Sequence, residues 1–202
     1  MSLTVIKIGG SLCGSQRLDR LLETLAGVHQ PRLVVVAGGG PFADAVRQVQ
    51  ALMPFDDHLA HRLALDAMAH LAEVFAARHP RLVLVASAGA IAAAHDQGRI
   101  PIWQPGELRA GHPDITESWT VTSDSLALWL ATRLKADRLV LVKSVDAPEG
   151  STSASLSSAG VVDMAFPEYA RRYDGRIVVS GPSSDGKFEA LLSGEQVRSD
   201  AL

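Results

Sequence analysis

Leu3-Thr4-Val5-Ile6-Lys7-Ile8 runs, without polar alternation, straight into Gly9-Gly10-Ser11. A short, β-branched, continuously apolar run is the pattern of a strand buried on both faces, as in a parallel sheet covered by helices. The two glycines at its end permit a tight turn and let backbone N–H groups approach an anion. Lys7 breaks the pattern by putting an ammonium group inside a segment that belongs in the core.

The same pattern recurs along the chain. Arg32-Leu33-Val34-Val35-Val36-Ala37 ends in Gly38-Gly39-Gly40-Pro41, and Arg81-Leu82-Val83-Leu84-Val85-Ala86 ends in Ser87-Ala88-Gly89. Arg138-Leu139-Val140-Leu141-Val142 ends in Lys143-Ser144-Val145-Asp146, and Arg176-Ile177-Val178-Val179 ends in Ser180-Gly181-Pro182. Helical periodicity lies between these runs. Residues 15–29 begin at the cap candidate Ser15 and align Leu18, Leu21, Leu22 and Leu25. Residues 41–52 open on Pro41, which suits a first turn. Residues 57–79 place Leu59, Leu63, Met68 and Leu71 inward, and residues 123–136 align Leu126, Leu130 and Leu134. Strands alternating with helices predict an α/β fold, a three-layer α/β/α sandwich around a mainly parallel central sheet.

Three stretches read as loops. Residues 100–120 are rich in Pro and Gly, with a short edge strand at Ile100–Trp103. Residues 149–160 are rich in Ser and Gly and read as a mobile lid. Residues 181–186 follow the last strand. No linker divides the chain, so residues 1–202 are expected to form one domain.

Composition narrows the function. The 202 residues are 47% hydrophobic and 20% charged, which excludes a disordered chain. A net charge of −3 and a pI of about 6.1 give no footprint for nucleic acid or an anionic membrane. The single cysteine, Cys13, excludes an intrachain disulfide framework and a Cys-rich zinc site. No apolar run reaches the ~18 residues of a membrane span, and no leader pattern precedes the first strand. A cytoplasmic location is expected.

Ligands of open parallel sheets sit outside the carboxyl ends of the strands. Gly9, Gly10 and Ser11 would meet Gly38, Gly39 and Gly40 there. The chain has four lysines against fifteen arginines, and two of the four, Lys7 and Lys143, stand at strand ends. Lysine there is a point charge for phosphate. Each signal has an ordinary counterpart. Glycines after strands are commonly only turns, a lone Lys143 a solvated side chain, and Asp124 a first-turn acid of a helix. The P-loop pattern is absent. Gly38-x-Gly40-x-x-Ala43 fits the dinucleotide fingerprint, but it follows the second strand, and no acid ends the next one. His58, His61 and His70 share one helix without a His-Glu-x-x-His motif and read as surface histidines. No G-x-S-x-G elbow occurs.

The motifs together resemble the amino acid kinase superfamily, which includes acetylglutamate, carbamate, uridylate and isopentenyl phosphate kinases. The resemblance is carried by Lys7-Ile8-Gly9-Gly10-Ser11, by Gly38-Gly39-Gly40, by Thr122-Ser123-Asp124-Ser125-Leu126-Ala127, by Leu141-Val142-Lys143-Ser144-Val145-Asp146, and by Val178-Val179-Ser180-Gly181 with Ala190-Leu191-Leu192-Ser193-Gly194-Glu195. Gly38 to Asp44, the helix His61 to Ala69 with Leu65-Asp66-Ala67-Met68, and Trp119 to Asp124 resemble a short subgroup similar to aminomethylfuranylmethyl phosphate kinases. Three features depart from the family. Val197-Arg198-Ser199-Asp200-Ala201-Leu202 replaces its closing Gly-Thr-x-Ile. Ser180 stands where Asn is common, and Ala147-Pro148-Glu149 replaces a glycine-bearing turn.

The resemblance implies phosphoryl transfer from ATP to a small molecule, with magnesium bound mainly through nucleotide oxygens, in a homo-oligomer. It implies that Lys7 reaches the phosphates, that Asp124 holds Lys7, and that Lys143 is a second cation. Gly9, Gly10, Ser11, Ser144, Asp146 and Gly181 would face the nucleotide. Gly38, Gly39 and Gly40 would cradle the acceptor. A phosphate acceptor needs no general base, because it is already ionised near neutral pH. An amine-bearing acceptor would want an acid, for which Asp44, Asp66 and Asp114 are candidates beside their plainer reading as surface acids. No metal-ligating set is expected. Two other readings stay open: a nucleotide- or oxyanion-binding storage protein on the same fold, and a dinucleotide-dependent enzyme.

Overall fold

A computed structural model describes residues 2–28 and 32–193. Its strands are β1 (Leu3–Ile8), β2 (Arg32–Ala37), β3 (Leu82–Val85), β4 (Ile100–Trp103), β5 (Arg138–Val142) and β6 (Arg176–Ser180). They form one sheet in the order β3-β4-β2-β1-β5-β6, and every pairing is parallel. The helices are α1 (Gln16–Gly27), α2 (Gly40–Leu52), α3 (Asp57–Ala76), α4 (Ala88–Asp96), α5 (Ser123–Arg133), α6 (Ser153–Ser158), α7 (Phe166–Ala170) and α8 (Phe188–Ser193). None of the described helices is long and apolar enough to cross a membrane.

Strand alternation sorts the core into two layers. Ile6, Ile8, Val35, Val140 and Val142 pack against α1, α8 and the end of α3. Val5, Val34, Val36, Leu139 and Leu141 pack against α4, α5 and α7. Helices therefore cover both faces, as the buried parallel strands require. β1 hands the chain to one side of the sheet and β5 hands it to the other. The crevice between their carboxyl ends is the switch point where open α/β sheets bind ligands.

Several sequence expectations change. Ile100–Trp103 is not an edge strand but an inner one, between β3 and β2. Pro101 fits there because a side chain replaces its missing N–H. Ile100 N–H donates to Arg81 O (2.7 Å) and Gln104 N–H to Val85 O (2.8 Å), both toward β3. The intervening position, Pro101, therefore faces β2. Carrying the register of Trp103 with Val36 back along the strand sets Pro101 against the Leu33 carbonyl. His95 Nε2–H donates to that carbonyl at 2.8 Å. His95→Ala is expected to leave the carbonyl unsatisfied and cost roughly 1–3 kcal/mol. A urea midpoint unchanged from wild type would show that water substitutes freely.

The Ser-rich stretch read as a lid holds α6, started by a capping box between Thr152 and Ser155. Leu156 anchors it in the core. Residues 182–187 form a 3-10 turn leading into α8. Helix α4, capped by Ser87, gave no periodic signal because only Ile91 and Ala94 are buried. The inward stripe of α3 is partly as expected: Met68 and Leu71 are buried, but Leu59 is exposed and Leu63 half-buried, and His61, Leu65 and Phe75 take the other inward positions. His29 of the first expected helix, and Gly194-Glu195 and Val197–Leu202 of the expected C-terminal motifs, lie outside the described residues.

Candidate active site

Alternation on β1 points Lys7 to the same side as Val5, toward α5. Alternation on β5 sends Leu139, Leu141 and then Lys143 to that side as well. Asp124, in the first turn of α5, meets both. Lys7 Nζ lies 2.9 Å from Asp124 Oδ1. Lys143 Nζ donates to both Asp124 oxygens at 2.7 Å. The three residues are 4%, 5% and 8% exposed for Lys7, Asp124 and Lys143. Two ammonium groups share contact with one carboxylate, Asp124, while Asp163 acts on Lys143 from further off, so the pair of buried cations is incompletely satisfied by direct contacts and favours an added anion. Burial alone would raise the Asp124 carboxyl, yet the two ammonium groups hold its pKa below the usual range. Burial, reinforced by repulsion from Lys7, pulls Lys143 down to about 8 against the attraction of Asp124.

A second carboxylate sets the position of α5. The N-cap residue Thr122 does not cap the helix with its own side chain. Asp163 does so from a distant part of the chain. It accepts from Thr122 N (2.9 Å), Thr122 Oγ1 (2.9 Å), Ser125 N (3.0 Å) and Phe166 N (3.0 Å), and also from Ser125 Oγ. Nothing near residue 163 in the sequence signals this role, since its partners at residue 125 lie 38 positions away.

The glycine turns sit beside this cluster and interlock. Gly9 N–H donates to Val142 O (3.0 Å) and Gly38 N–H to Ile8 O (2.9 Å). A Cβ on Gly10 would lie 2.3 Å from Gly40 N, so no larger residue fits. Gly40 adopts a φ of +53°, which also favours glycine. Ser11 Oγ donates to Ser144 Oγ at 3.0 Å, linking the turns after β1 and β5. Asp146 accepts from Ser183 N (3.0 Å) and Ser183 Oγ (2.7 Å), bonds that lower its pKa. Gly181 backs onto Asp146, where a Cβ would lie 2.3 Å from Oδ1. Arg17, on α1, fastens the same corner. Its Nε donates to Asp185 Oδ1 and Oδ2 (2.8 and 2.9 Å), and its Nη1 to Lys143 O. Arg17 carries no signal in the sequence, since one arginine on a helix reads as an ordinary surface residue.

On the β2 side of the cluster opens a cavity of about 220 Å³. Gly10, Ser11, Gly39 and Gly40 form one end, and Leu65, Met68, Val121 and Leu126 give it apolar walls. Asp44 lines it and pairs with Arg47 at 3.0 Å. The Arg47 guanidinium lies 4.3 Å from the centre of the Trp119 ring, and Trp119 Nε1–H donates to Gln50 at 2.7 Å. Asp66 does not line the cavity and pairs with Arg109 at 3.2 Å. Asp114 lies outside it as well, on a separate surface hollow, where its carbonyl accepts from Tyr169. The expectation of a surface histidine is wrong for His61, which is 3% exposed and lines the cavity. Its fit into the stripe of Leu65 and Met68, at helical spacing, was the available signal. Among the described residues no three His, Cys, Asp or Glu side chains gather as metal ligands. Both oxygens of Asp124 already face lysines.

Comparison with known proteins agrees with this architecture. The model of the amino acid kinase family matches residues 2–79 and 61–147. A [5-(aminomethyl)furan-3-yl]methyl phosphate kinase from Methanocaldococcus jannaschii is 27% identical over 143 residues, or 70% of this chain. The match spans 66% of that relative, just under two thirds of its length. The uridylate kinase of Archaeoglobus fulgidus superposes with a TM-score of 0.72 at 18% identity, covering 96% of this chain and 97% of its own. The UMP kinase of Ureaplasma parvum superposes with a TM-score of 0.69 at 15% identity, covering 99% and 97%. The family model covers most of the length, and both superpositions share the fold from end to end: the chain belongs to the amino acid kinase family.

Proposed function

We propose that the chain transfers a phosphoryl group from ATP to a small phosphate monoester. The observation that carries this is the buried Lys7–Asp124–Lys143 cluster, two cations held on one carboxylate at the switch point of the sheet. Phosphoryl transfer asks a protein for in-line positioning and charge neutralisation rather than covalent chemistry. Lys7 and Lys143 supply the charge, and Asp124 keeps both from drifting. The turns at Gly9–Ser11, Ser144, Asp146 and Gly181 take the nucleotide side. Gly38–Gly40 and the cavity beyond them, with Asp44 at its wall, take the acceptor. Asp66 and Asp114, which face elsewhere, have no part in this scheme. A phosphate acceptor needs no general base from the cavity, being ionised already near neutral pH; Asp44 at the wall pairs with Arg47. Magnesium would arrive with the nucleotide and help neutralise its phosphates, since both Asp124 oxygens already contact lysine ammonium groups.

The name of the Methanocaldococcus relative points to an aminomethylfuran phosphate as the acceptor. A cavity of about 220 Å³ with apolar walls and a glycine cradle suits a small ring bearing a phosphate arm. One domain, a cytoplasmic location and a homo-oligomer belong to the same proposal. Exposed Phe42, Val49, Leu52 and Met53 on and just after α2 support association.

The first test is thermal unfolding with Mg-ATP, ADP, NAD or buffer, followed by ADP release on adding [5-(aminomethyl)furan-3-yl]methyl phosphate. A ligand at ~100 times its Kd adds about 2.7 kcal/mol. Stabilisation by ATP and acceptor-dependent ADP are expected. Stabilisation by NAD alone would return the dinucleotide reading. Tight ATP binding without turnover would return the storage reading.

The Lys143 pKa of about 8 gives a pH signature. The ammonium is lost as pH rises through 8, so kcat/KM for ATP is expected to fall above about pH 8. Stability moves the other way. Between about pH 8 and the ordinary 10.5 the unfolded chain holds a proton at this lysine that the folded chain does not. The Lys143 contribution therefore favours folding as pH rises through that window. A pH–rate profile flat to pH 9.5 would contradict the assignment, as would a wild-type stability trend identical to that of Lys143→Met.

A further inference from the structure

Asp124 stands between two residues that are gripped by the same distant carboxylate. Thr122 lies just before it and Ser125 directly after it. Asp163 Oδ2 accepts from Thr122 N, Thr122 Oγ1 and Ser125 N, at 2.9, 2.9 and 3.0 Å. Asp163 Oδ1 accepts from Ser125 Oγ and from Phe166 N, the latter at 3.0 Å. One carboxylate therefore brackets Asp124 from both sides and ties the start of α5 to the start of α7. The neighbouring chain is fastened at the same place. Ala165 N–H donates to Thr120 O (3.0 Å), and Ser157 Oγ, on α6, donates to Asp163 O (3.2 Å).

A helix start does not need a distant acid. Thr122 occupies the N-cap position of α5, and threonine there ordinarily caps with its own hydroxyl. Here that hydroxyl is turned to Asp163 instead. The acid adds two things that a local cap lacks, a fixed position and a negative charge. That charge favours the ammonium form of Lys143, as Asp124 does, and opposes the effects of burial and of Lys7. We propose that Asp163 is the positioning residue of the two-lysine centre: it acts through Asp124, keeping that carboxylate in contact with Lys7 and Lys143, and its own charge helps to hold the two cations there. The effect on turnover rests on reading the centre as the place of phosphoryl transfer, whereas the effect on the lysines does not. A shift of about 1 Å imposed from outside the chemistry can cost about 10²-fold in rate.

The charged groups around Lys143 are Lys7 on β1, Asp124 on α5, Asp163 ahead of α7, and Arg17 on α1, which donates to the Lys143 carbonyl. The titratable neighbour of Asp163 on α7 is Tyr169, whose pKa burial raises above its usual 10, so it stays neutral where Lys143 titrates.

The experiment uses Asp163→Asn in the full chain. The amide oxygen can take the place of Oδ2, and the amide NH2 can donate to Ser125 Oγ. Phe166 N–H keeps the main-chain carbonyl of residue 163, at 3.2 Å. Shape and most hydrogen bonds survive while the charge is lost. The chain has four lysines, so 13Cε-lysine NMR follows Lys143 directly, with Lys143→Met identifying its signal. Lys143 titrates at about 8 in the wild type. In Asp163→Asn its titration is expected to move to lower pH, and in Asp163→Glu, which restores the charge, to return toward the wild-type value. In ADP release the kcat of Asp163→Asn is expected to fall about 100-fold, with the KM for ATP within about threefold of wild type. A Lys143 titration that does not move in Asp163→Asn overturns the proposal, and so does a wild-type kcat in that variant. If the wild type releases no ADP, the kinase reading fails, and the Lys143 titration alone decides for or against Asp163. If Asp163→Asn does not fold, Ser125→Ala takes its place, removing one of the five bonds and keeping the charge. Its kcat is expected to fall about threefold or more while Lys143 titrates as in the wild type. An unchanged kcat there overturns the proposal.

Discussion

Asp124→Ala is expected to be among the most damaging single substitutions in this chain, for stability and turnover together. It would leave two buried ammonium groups facing each other without the carboxylate that both now touch. Removing one partner of a buried ion pair typically costs about 3–5 kcal/mol, because the remaining charge stays desolvated. One of the lysines would lose its proton in response, and with it a charge that the proposed mechanism places on the phosphates. Asp124→Asn keeps the shape and should unfold less readily, yet turnover should fall far more than nucleotide affinity. Urea midpoints with ADP release measure both effects. If Asp124→Ala unfolds at the wild-type midpoint, the cluster is not organised by this carboxylate, and Asp124 is only a first-turn acid.

Lys7→Met should give the opposite combination. Turnover is expected to fall by about 10³–10⁵, the range seen when a cation that balances transition-state charge is removed. Stability should stay level or rise. Without Lys7 the core keeps a matched Lys143–Asp124 pair, and a buried like-charge repulsion disappears. The same loss should move the alkaline limit of nucleotide binding above pH 8, because Lys7 is one cause of the depressed Lys143 pKa. A Lys7→Met variant that unfolds easily, or that releases ADP at the wild-type rate, would remove Lys7 from the centre of the mechanism.

Much of this was legible in the sequence, for a physical reason. Strands buried on both faces carry their own signature, and a lysine in such a strand stands out because it contradicts its surroundings. Lys7 and the Gly-Gly turns could therefore be read locally. What failed to show is non-local. The place of β4 inside the sheet depends on sheet order, and the tolerance of Pro101 there depends on His95, a residue of another element. Asp163 organises α5 across dozens of residues. His61 reads as a surface residue because Leu59 and Leu63 suggest a different inward face at the start of α3, and Leu59 is exposed. Asp66 and Asp44 look alike in sequence. Only the fold shows that Asp44 borders the cavity and Asp66 turns to Arg109.

The interlocked glycine turns bear on how this scaffold can diverge. Gly10 and Gly40 approach through main-chain atoms, with no side chain between them to lengthen or shorten. The gap between the two glycine turns is thus set by main chain, and substitutions elsewhere than at these glycines leave it unchanged. The walls built by Leu65, Met68, Val121 and Leu126 are side chains and free to vary. On the kinase reading proposed above, substitutions in these walls would change which acceptor fits while the spacing of the two turns stays the same.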